Sequence, residues 1–276
     1  MKSHLTLAII GISLLIGCNQ KASNQEDQKS EAPKVSLKEE DLVISVDTVQ
    51  MKSIVAYQDD SSAKKPVVLI IPEWWGMNDY VKSRAKQLAE LGYIAVGVDI
   101  YGNRKQGNTP DEAKALAMPF YKNPQMAKVR MDAALSKAKT LAQADTNRIA
   151  VIGYCFGGSM ALNCAKMGLP VNGVVSFHGG LAGVPPSKDK TKAQVLVCHG
   201  LADKFVPEKE VASFKKQMDS VKVAYTFKEY ADATHAFTNP NSTENGKKFN
   251  IPIAYNAKAD TASWNDMKQF FGQIFK

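Results

Sequence analysis

The chain has 276 residues, of which 45% are hydrophobic and 22% charged, with a formal net charge of +8. That apolar share is enough for a real core and excludes a wholly disordered chain. The basic excess is spread over helix-like stretches as Lys82, Lys86, Lys128, Lys137 and Lys139. This is the pattern of a solvated surface, and no nucleic-acid motif accompanies it.

The N-terminus reads as a targeting segment. A short basic start, Met1-Lys2-Ser3-His4, precedes an apolar run over 5–16 that is too short to span a bilayer. The run ends in Leu15-Ile16-Gly17-Cys18, which resembles a bacterial lipobox: a signal peptide over 1–17, cleaved before a lipid-bearing Cys18. Residues 18–41 are polar and charged, with too little apolar surface to fold, and are expected to be a flexible tether. Asn19 is not the Asp that favours inner-membrane retention, so the expected place is the cell envelope, lipid-anchored at the periplasmic face or the cell surface. The remaining 42–276 has the length of one α/β domain and no internal repeat.

Along that domain, strands are expected near 43–57, 67–71, 93–99, 148–153, 172–178, 193–199 and 221–229. Helices are expected near 79–91, 111–121, 125–143, 157–167, 207–219 and 258–275. The alternation predicts a mostly parallel sheet with helices on both faces. Residues 179–192 and 238–253 carry no clear period, and the second stretch is expected to shape a pocket rim.

Chemistry-bearing residues fall where such sheets build sites, just past strand ends. After 67–71 comes Pro72-Glu73-Trp74-Trp75-Gly76-Met77-Asn78-Asp79-Tyr80. In an α/β-hydrolase this loop supplies one oxyanion donor through a backbone N–H. Trp74 and Trp75 suit either core packing or a pocket wall. After 148–153 comes Gly153-Tyr154-Cys155-Phe156-Gly157-Gly158, leading into a helix-like run. Small residues around a nucleophile between strand and helix form a nucleophile elbow, here with cysteine where serine is usual. The strand 193–199 leads to His199-Gly200-Leu201-Ala202-Asp203, and 221–229 leads to Ala231-Asp232-Ala233-Thr234-His235. Cys155, Asp203 and His235 thus occur in the nucleophile–acid–base order of the fold. Of the four histidines, His4 lies in the signal, and His178 and His199 end strands without the downstream position. His235 is the base. Cys164 and Cys198 read as buried small hydrophobes, no spacing suggests a metal site, and no cofactor is expected.

Taken together, P-E-W-W-G-x-N-D-Y, G-Y-C-x-G-G, H-G-x-x-D-x-x-V-P and H-A-F make the chain similar to the dienelactone hydrolase family, cysteine members of the α/β-hydrolase fold, from about residue 43 to 276. The resemblance implies Cys155 as nucleophile, His235 as base and Asp203 as the acid that orients it. It implies Glu73 as the carboxylate that contacts the resting thiol, and the N–H groups of Trp74 and Phe156 as the oxyanion hole. Two arginines that hold the substrate carboxylate in the family are missing: Asn239 stands at one position, and near Tyr101 the chain has Asn103 and then Arg104, one position off. Trp75, Tyr101, Arg104 and Asn239 are accordingly the expected substrate-pocket residues.

The resulting expectation is a hydrolase cleaving an ester or lactone of a small molecule through a cysteine acyl-enzyme. The alternatives are a non-catalytic ligand-binding envelope lipoprotein and a thiol redox protein. The complete triad opposes the first, and the distance in sequence from Cys155 to Cys164 opposes the second. For the N-terminus, Cys18→Ala is expected to release the protein from membranes or block its maturation. Wild-type protein that fractionates as soluble, with no acyl mass on Cys18, would remove the lipoprotein reading.

Overall fold

Apolar residues alternate between the two faces of the central strands, and each set meets its own helices. The computed structural model describes residues 36–60 and 63–276; the signal, Cys18 and the tether as far as residue 35 lie outside them. In strand β3 (Lys65–Ile71), Val67, Leu69 and Ile71 enter one core layer while Val68 and Ile70 enter the other. A strand covered on both faces has no polar positions to spare, which is why 67–71 reads as one apolar run. On the first face lie α2 (Pro110–Lys122), α3 (Gln125–Lys139) and α4 (Phe156–Lys166), which contribute Phe120, Met131, Leu135 and Met160. On the other lie α1 (Asp79–Glu90) and α7 (Ala257–Ile274), which contribute Val81, Leu88, Met267 and Phe271.

The sheet has eight strands. Besides β3 these are β1 (Leu37–Val46), β2 (Val49–Gln58), β4 (Ile94–Gly97), β5 (Ala144–Tyr154), β6 (Gly173–Phe177), β7 (Gln194–Gly200) and β8 (Tyr225–Tyr230). Their order is β1-β2-β4-β3-β5-β6-β7-β8, antiparallel only where β1 meets β2 and β2 meets β4. The expected α/β-hydrolase fold, mostly parallel and flanked on both faces, is present. Helix α5 (Glu208–Ser220) buries Val211, Phe214 and Met218 against Val195 and Val197 of β7.

Two elements differ from expectation. The single strand expected near 43–57 is a hairpin, turning at Asp47, whose φ is 50°. Its first strand begins at Leu37, so Lys38, Glu39, Glu40 and Asp41, expected in the tether, belong to the sheet. Only Leu42 and Ile44 of β1 are buried, Leu37 and Val46 at its ends are half-buried, and the other side chains between are exposed. Charge on an edge strand blocks pairing with other chains, and the same charge hides the strand in the sequence. The second is α6 (Ser242–Phe249), a short helix in the stretch after His235.

Arg84 of α1 stitches the second layer to the loop after β8. It is buried, donates to the Thr238 carbonyl at 2.8 Å and to the Tyr80 hydroxyl at 3.3 Å, and pairs with Asp260 of α7. Removing one partner of a buried ion pair strands the other, so Arg84→Ala should lower the unfolding free energy by about 3–5 kcal/mol in a denaturant titration. A loss below about 1 kcal/mol would mean that the pair is effectively solvated.

Candidate active site

The C-terminal ends of the parallel strands all open on one edge, and each site residue is delivered by the loop leaving one of them. Cys155 sits between β5 and α4 with φ 53° and ψ −116°. A side chain at positive φ is strained, and the turn exists because its neighbours let backbones nearly touch. A Cβ on Gly153 would lie 2.0 Å from the Gly157 carbonyl oxygen, and one on Gly157 2.2 Å from that of Ile71. The Cys155 N–H is shared between the Phe177 carbonyl (3.0 Å) and His178 Nδ1 (3.1 Å). The sulfur is thereby held above the sheet at the N-terminus of α4, where the helix dipole favours negative charge.

His235 Nε2 lies 3.0 Å from Cys155 Sγ, and His235 Nδ1 lies 2.8 Å from Asp203 Oδ2. The structure thus brings together the three residues that the sequence ordered. Asp203 is oriented by its other oxygen, which accepts the Phe205 N–H at 2.8 Å. The loops carrying Asp203 and His235 are joined by the Ala202 N–H on the Ala233 carbonyl at 3.0 Å. Burial pushes the His235 imidazole down, but the charges and hydrogen bonds of Cys155 and Asp203 outweigh it and hold the ring well above the usual histidine range. A ring held between a carboxylate and a sulfur can take the thiol proton and keep it.

Cys155 and His235 open into a cavity of about 510 Å³, with Asp203 behind them. Its walls are mostly apolar, among them Trp74, Trp75, Met118, Phe205 and Ile253. Glu73 also faces the cavity and is itself buried, with one oxygen accepting from Asn239 Nδ2 at 2.6 Å and the other without a partner. Burial drives its carboxyl up to about 7, against the opposing pull of Asn239, His235 and Arg84. Phe156, the first residue of α4, follows Cys155 directly, and its ring is buried against Tyr101 and Phe120.

Three expected pocket residues are placed elsewhere. Tyr101 is buried behind the wall and donates to the Trp74 carbonyl at 3.1 Å, so it supports the loop after β3 rather than lining the cavity. Arg104 turns to the surface, where it pairs with Asp41 and donates to the Lys52 carbonyl at 3.0 Å. Asn239 touches Glu73 but does not line the main cavity. Ile251 and Ile253 line the cavity, in keeping with the rim expected of 238–253, whereas Tyr121, Ser159 and Glu210 also line it and were not among the expected residues. Ser159 follows the elbow glycines and was within reach of the motif, whereas Tyr121 carries no local signal.

The fold and the strand-end constellation define an α/β-hydrolase. Residues 51–275 match the model of the dienelactone hydrolase family, and the chain belongs to that family. It is 28% identical over 184 residues to a Methylorubrum extorquens protein named as a carboxymethylenebutenolidase, covering 62% of this chain and 63%, just under two thirds, of that one. A solved dienelactone hydrolase-like promiscuous phosphotriesterase from metagenomic libraries, P91, superposes with a TM-score of 0.80 at 27% identity, covering 86% of this chain and 98% of that one. A dienelactone hydrolase-type structure from Klebsiella pneumoniae shares the fold at 19% identity and a TM-score of 0.73, covering 86% of this chain and 99% of that one. These relatives place the chain among the lactone and ester hydrolases.

Glu73 gives a pH-dependent prediction. At pH well below its ordinary 4.5 the carboxyl is protonated in the folded and the unfolded chain. As pH rises toward about 7 the unfolded chain ionises first, so stability falls, and above 7 the penalty is complete. Its size is on the order of 3 kcal/mol. Glu73→Gln should therefore raise unfolding stability at pH 8 and leave it nearly unchanged at pH 4. Equal effects at both pH values would show that the carboxyl is not held neutral by the fold.

Proposed function

We propose that the protein hydrolyses neutral carboxylic esters or lactones of small molecules through a Cys155 acyl-enzyme. The observation that carries this reading is the unbroken line Asp203–His235–Cys155, at 2.8 and 3.0 Å, on the wall of an apolar cavity. His235 takes the Cys155 proton, and the sulfur attacks the carbonyl carbon. The tetrahedral oxyanion is met by the N–H groups of Trp74 and Phe156. It collapses with loss of the alcohol oxygen, which receives the proton from His235. Water then gives a proton to His235 and attacks the thioester. The acid leaves and Cys155 regains its proton. Asp203 holds the ring in the tautomer that this sequence needs. Glu73 faces the same cavity and sets the local charge near the nucleophile.

Neutral substrates follow from the walls. No arginine lines the cavity among the described residues, and the lysine that does, Lys114, is solvent-exposed and cannot form a bidentate clamp. Asn239 offers a neutral amide where the resemblance calls for an arginine, and Arg104 is engaged elsewhere. A neutral amide cannot give the bidentate charged clamp that a carboxylate prefers. The likeness to P91 adds neutral phosphotriesters to the substrates worth assaying. The lipobox-like N-terminus supports, as part of the same proposal, an enzyme anchored to the bacterial cell envelope by lipid on Cys18. A non-catalytic ligand-binding lipoprotein is the weaker reading, because no member of the triad has been lost.

Kinetics on p-nitrophenyl esters and small lactones decide the matter. Cys155→Ala and His235→Ala should each abolish nearly all turnover, and to a similar degree, because the members of one catalytic unit are not additive. Asp203→Asn should cost less, and Cys155→Ser should keep the fold but lose most activity. Dienelactone should turn over poorly relative to neutral esters, and Arg104→Ala should leave that ratio unchanged. Wild-type esterase activity in Cys155→Ala would refute the assignment.

A further inference from the structure

The loop after β6 carries a histidine that the mechanism above does not use. His178 is 1% exposed, with φ 42°, a left-handed conformation that asparagine, aspartate and histidine tolerate better than most side chains. Both ring nitrogens are engaged. Nδ1 accepts the Cys155 N–H at 3.1 Å, so it bears no proton. The neutral ring therefore carries its hydrogen on Nε2, which donates to Thr238 Oγ1 at 2.7 Å. Thr238 lies three residues past His235, and its hydroxyl shares a 2.6 Å hydrogen bond with Tyr80, which Arg84 contacts in turn. Burial, with His235 and Arg84 nearby, pushes the His178 ring well below the usual histidine range, in keeping with the neutral tautomer. The His178 ring also meets the His235 ring edge-on, with centroids 5.5 Å apart.

One imidazole thus touches the backbone of the nucleophile, the ring of the base and the loop that carries the base. A buried histidine that served packing alone would have no reason to select the nucleophile's N–H, which already has a carbonyl partner in Phe177. We propose that His178 is a positioning residue of the catalytic centre. Through the Cys155 N–H on one side and Thr238 on the other, it locks nucleophile and base in line. The proposal rests on the Cys155 acyl-enzyme reading. It assigns His178 no proton transfer; its effect is on the geometry of Cys155 and His235, where small displacements carry large rate costs.

Steady-state kinetics on p-nitrophenyl acetate, the rate of Cys155 alkylation by iodoacetamide, and thermal unfolding should be compared for wild type, His178→Asn, His178→Gly and Thr238→Val. Asparagine and glycine both accept the left-handed backbone, but only asparagine keeps an acceptor near the Nδ1 position. His178→Gly should lower kcat by roughly ten- to a hundredfold with little change in KM. Alkylation should slow in parallel. His178→Asn should recover most of both rates even if its melting temperature falls as far as that of His178→Gly. Thr238→Val keeps the acceptor but frees the ring's tautomer, and should fall between. Equal rates for the Asn and Gly variants, or a loss of rate that follows melting temperature instead of the acceptor, would overturn the proposal. Retained esterase activity in Cys155→Ala would instead overturn the acyl-enzyme reading, and this proposal with it.

Discussion

The backbone at Cys155 is the constraint from which the rest of the site follows. A non-glycine residue held at φ 53° and ψ −116° costs about 1–3 kcal/mol and persists only when its surroundings fix it from several sides. Here the end of β6 and the loop after it supply two acceptors for one N–H, the Phe177 carbonyl and the His178 ring. The Cys155 carbonyl accepts the Ser159 N–H at 3.1 Å and so begins α4. The glycines at 153 and 157 let β5, α4 and the end of β3 approach more closely than any side chain allows. The strain places a sulfur where no relaxed strand or helix would present it, at the open edge of the sheet with a helix N-terminus beneath it.

Everything else at the site is carried to that sulfur by loops that are tied to one another. The Asp203 loop leans on the loop after β8 through Ala202 and Ala233, and Leu201 donates to the Tyr230 carbonyl at 2.9 Å. From the opposite layer, Arg84 reaches the Thr238 carbonyl just past His235. His235 is therefore tied both to the loop after β7 and to α1. The buried charges are arranged unequally. His235 lies between a carboxylate and a sulfur, so its positive form is compensated twice. Glu73 has only the neutral amide of Asn239, and its second oxygen has no partner. The first arrangement stabilises an ion pair, and the second leaves a carboxyl that prefers its proton near neutral pH.

What was legible in the sequence divides along physical lines. The central strands were legible because burial on both faces removes polar residues, and a run such as 67–71 has no other common use. That Cys155, Asp203 and His235 come together was legible because each lies just past a strand end, and strand ends can be read from the pattern. The β1 edge was not, because an edge strand is solvated and charged, and Lys38 to Asp41 look the same in a strand as in a tether. Helix α6 was too short and too polar to show a period. Tyr101, Arg104 and Asn239 lay near the right place in sequence, but the direction of a side chain depends on partners distant along the chain. Asp41 draws Arg104 out across 63 positions, and Glu73 draws Asn239 in across 166. His178 was passed over for a similar reason. Its partners, Cys155 and Thr238, lie 23 residues before it and 60 after it.

The pairing of Glu73 with Asn239 bears most directly on what the cavity accepts. An arginine at position 239 would keep Glu73 ionised and would present a positive face to substrates bearing a carboxylate. With asparagine there, the cationic groups that pull on Glu73 are His235, already paired with Asp203, and Arg84, whose N–H groups are engaged by Tyr80, Gln87, Thr238 and Asp260. Glu73 consequently carries its proton through much of the acidic-to-neutral range and there adds no negative charge to the cavity wall. Moving an anionic substrate against such a wall costs desolvation that no arginine is there to offset, and Lys114, which lines the cavity, is solvent-exposed and offers a single point charge, whereas a neutral ester or lactone loses little hydration. Above about pH 7 Glu73 becomes an anion and disfavours a carboxylate further. One neutral side chain thus changes the charge that the cavity offers while the strained turn at Cys155 and the line from Asp203 to the sulfur stay as the fold built them.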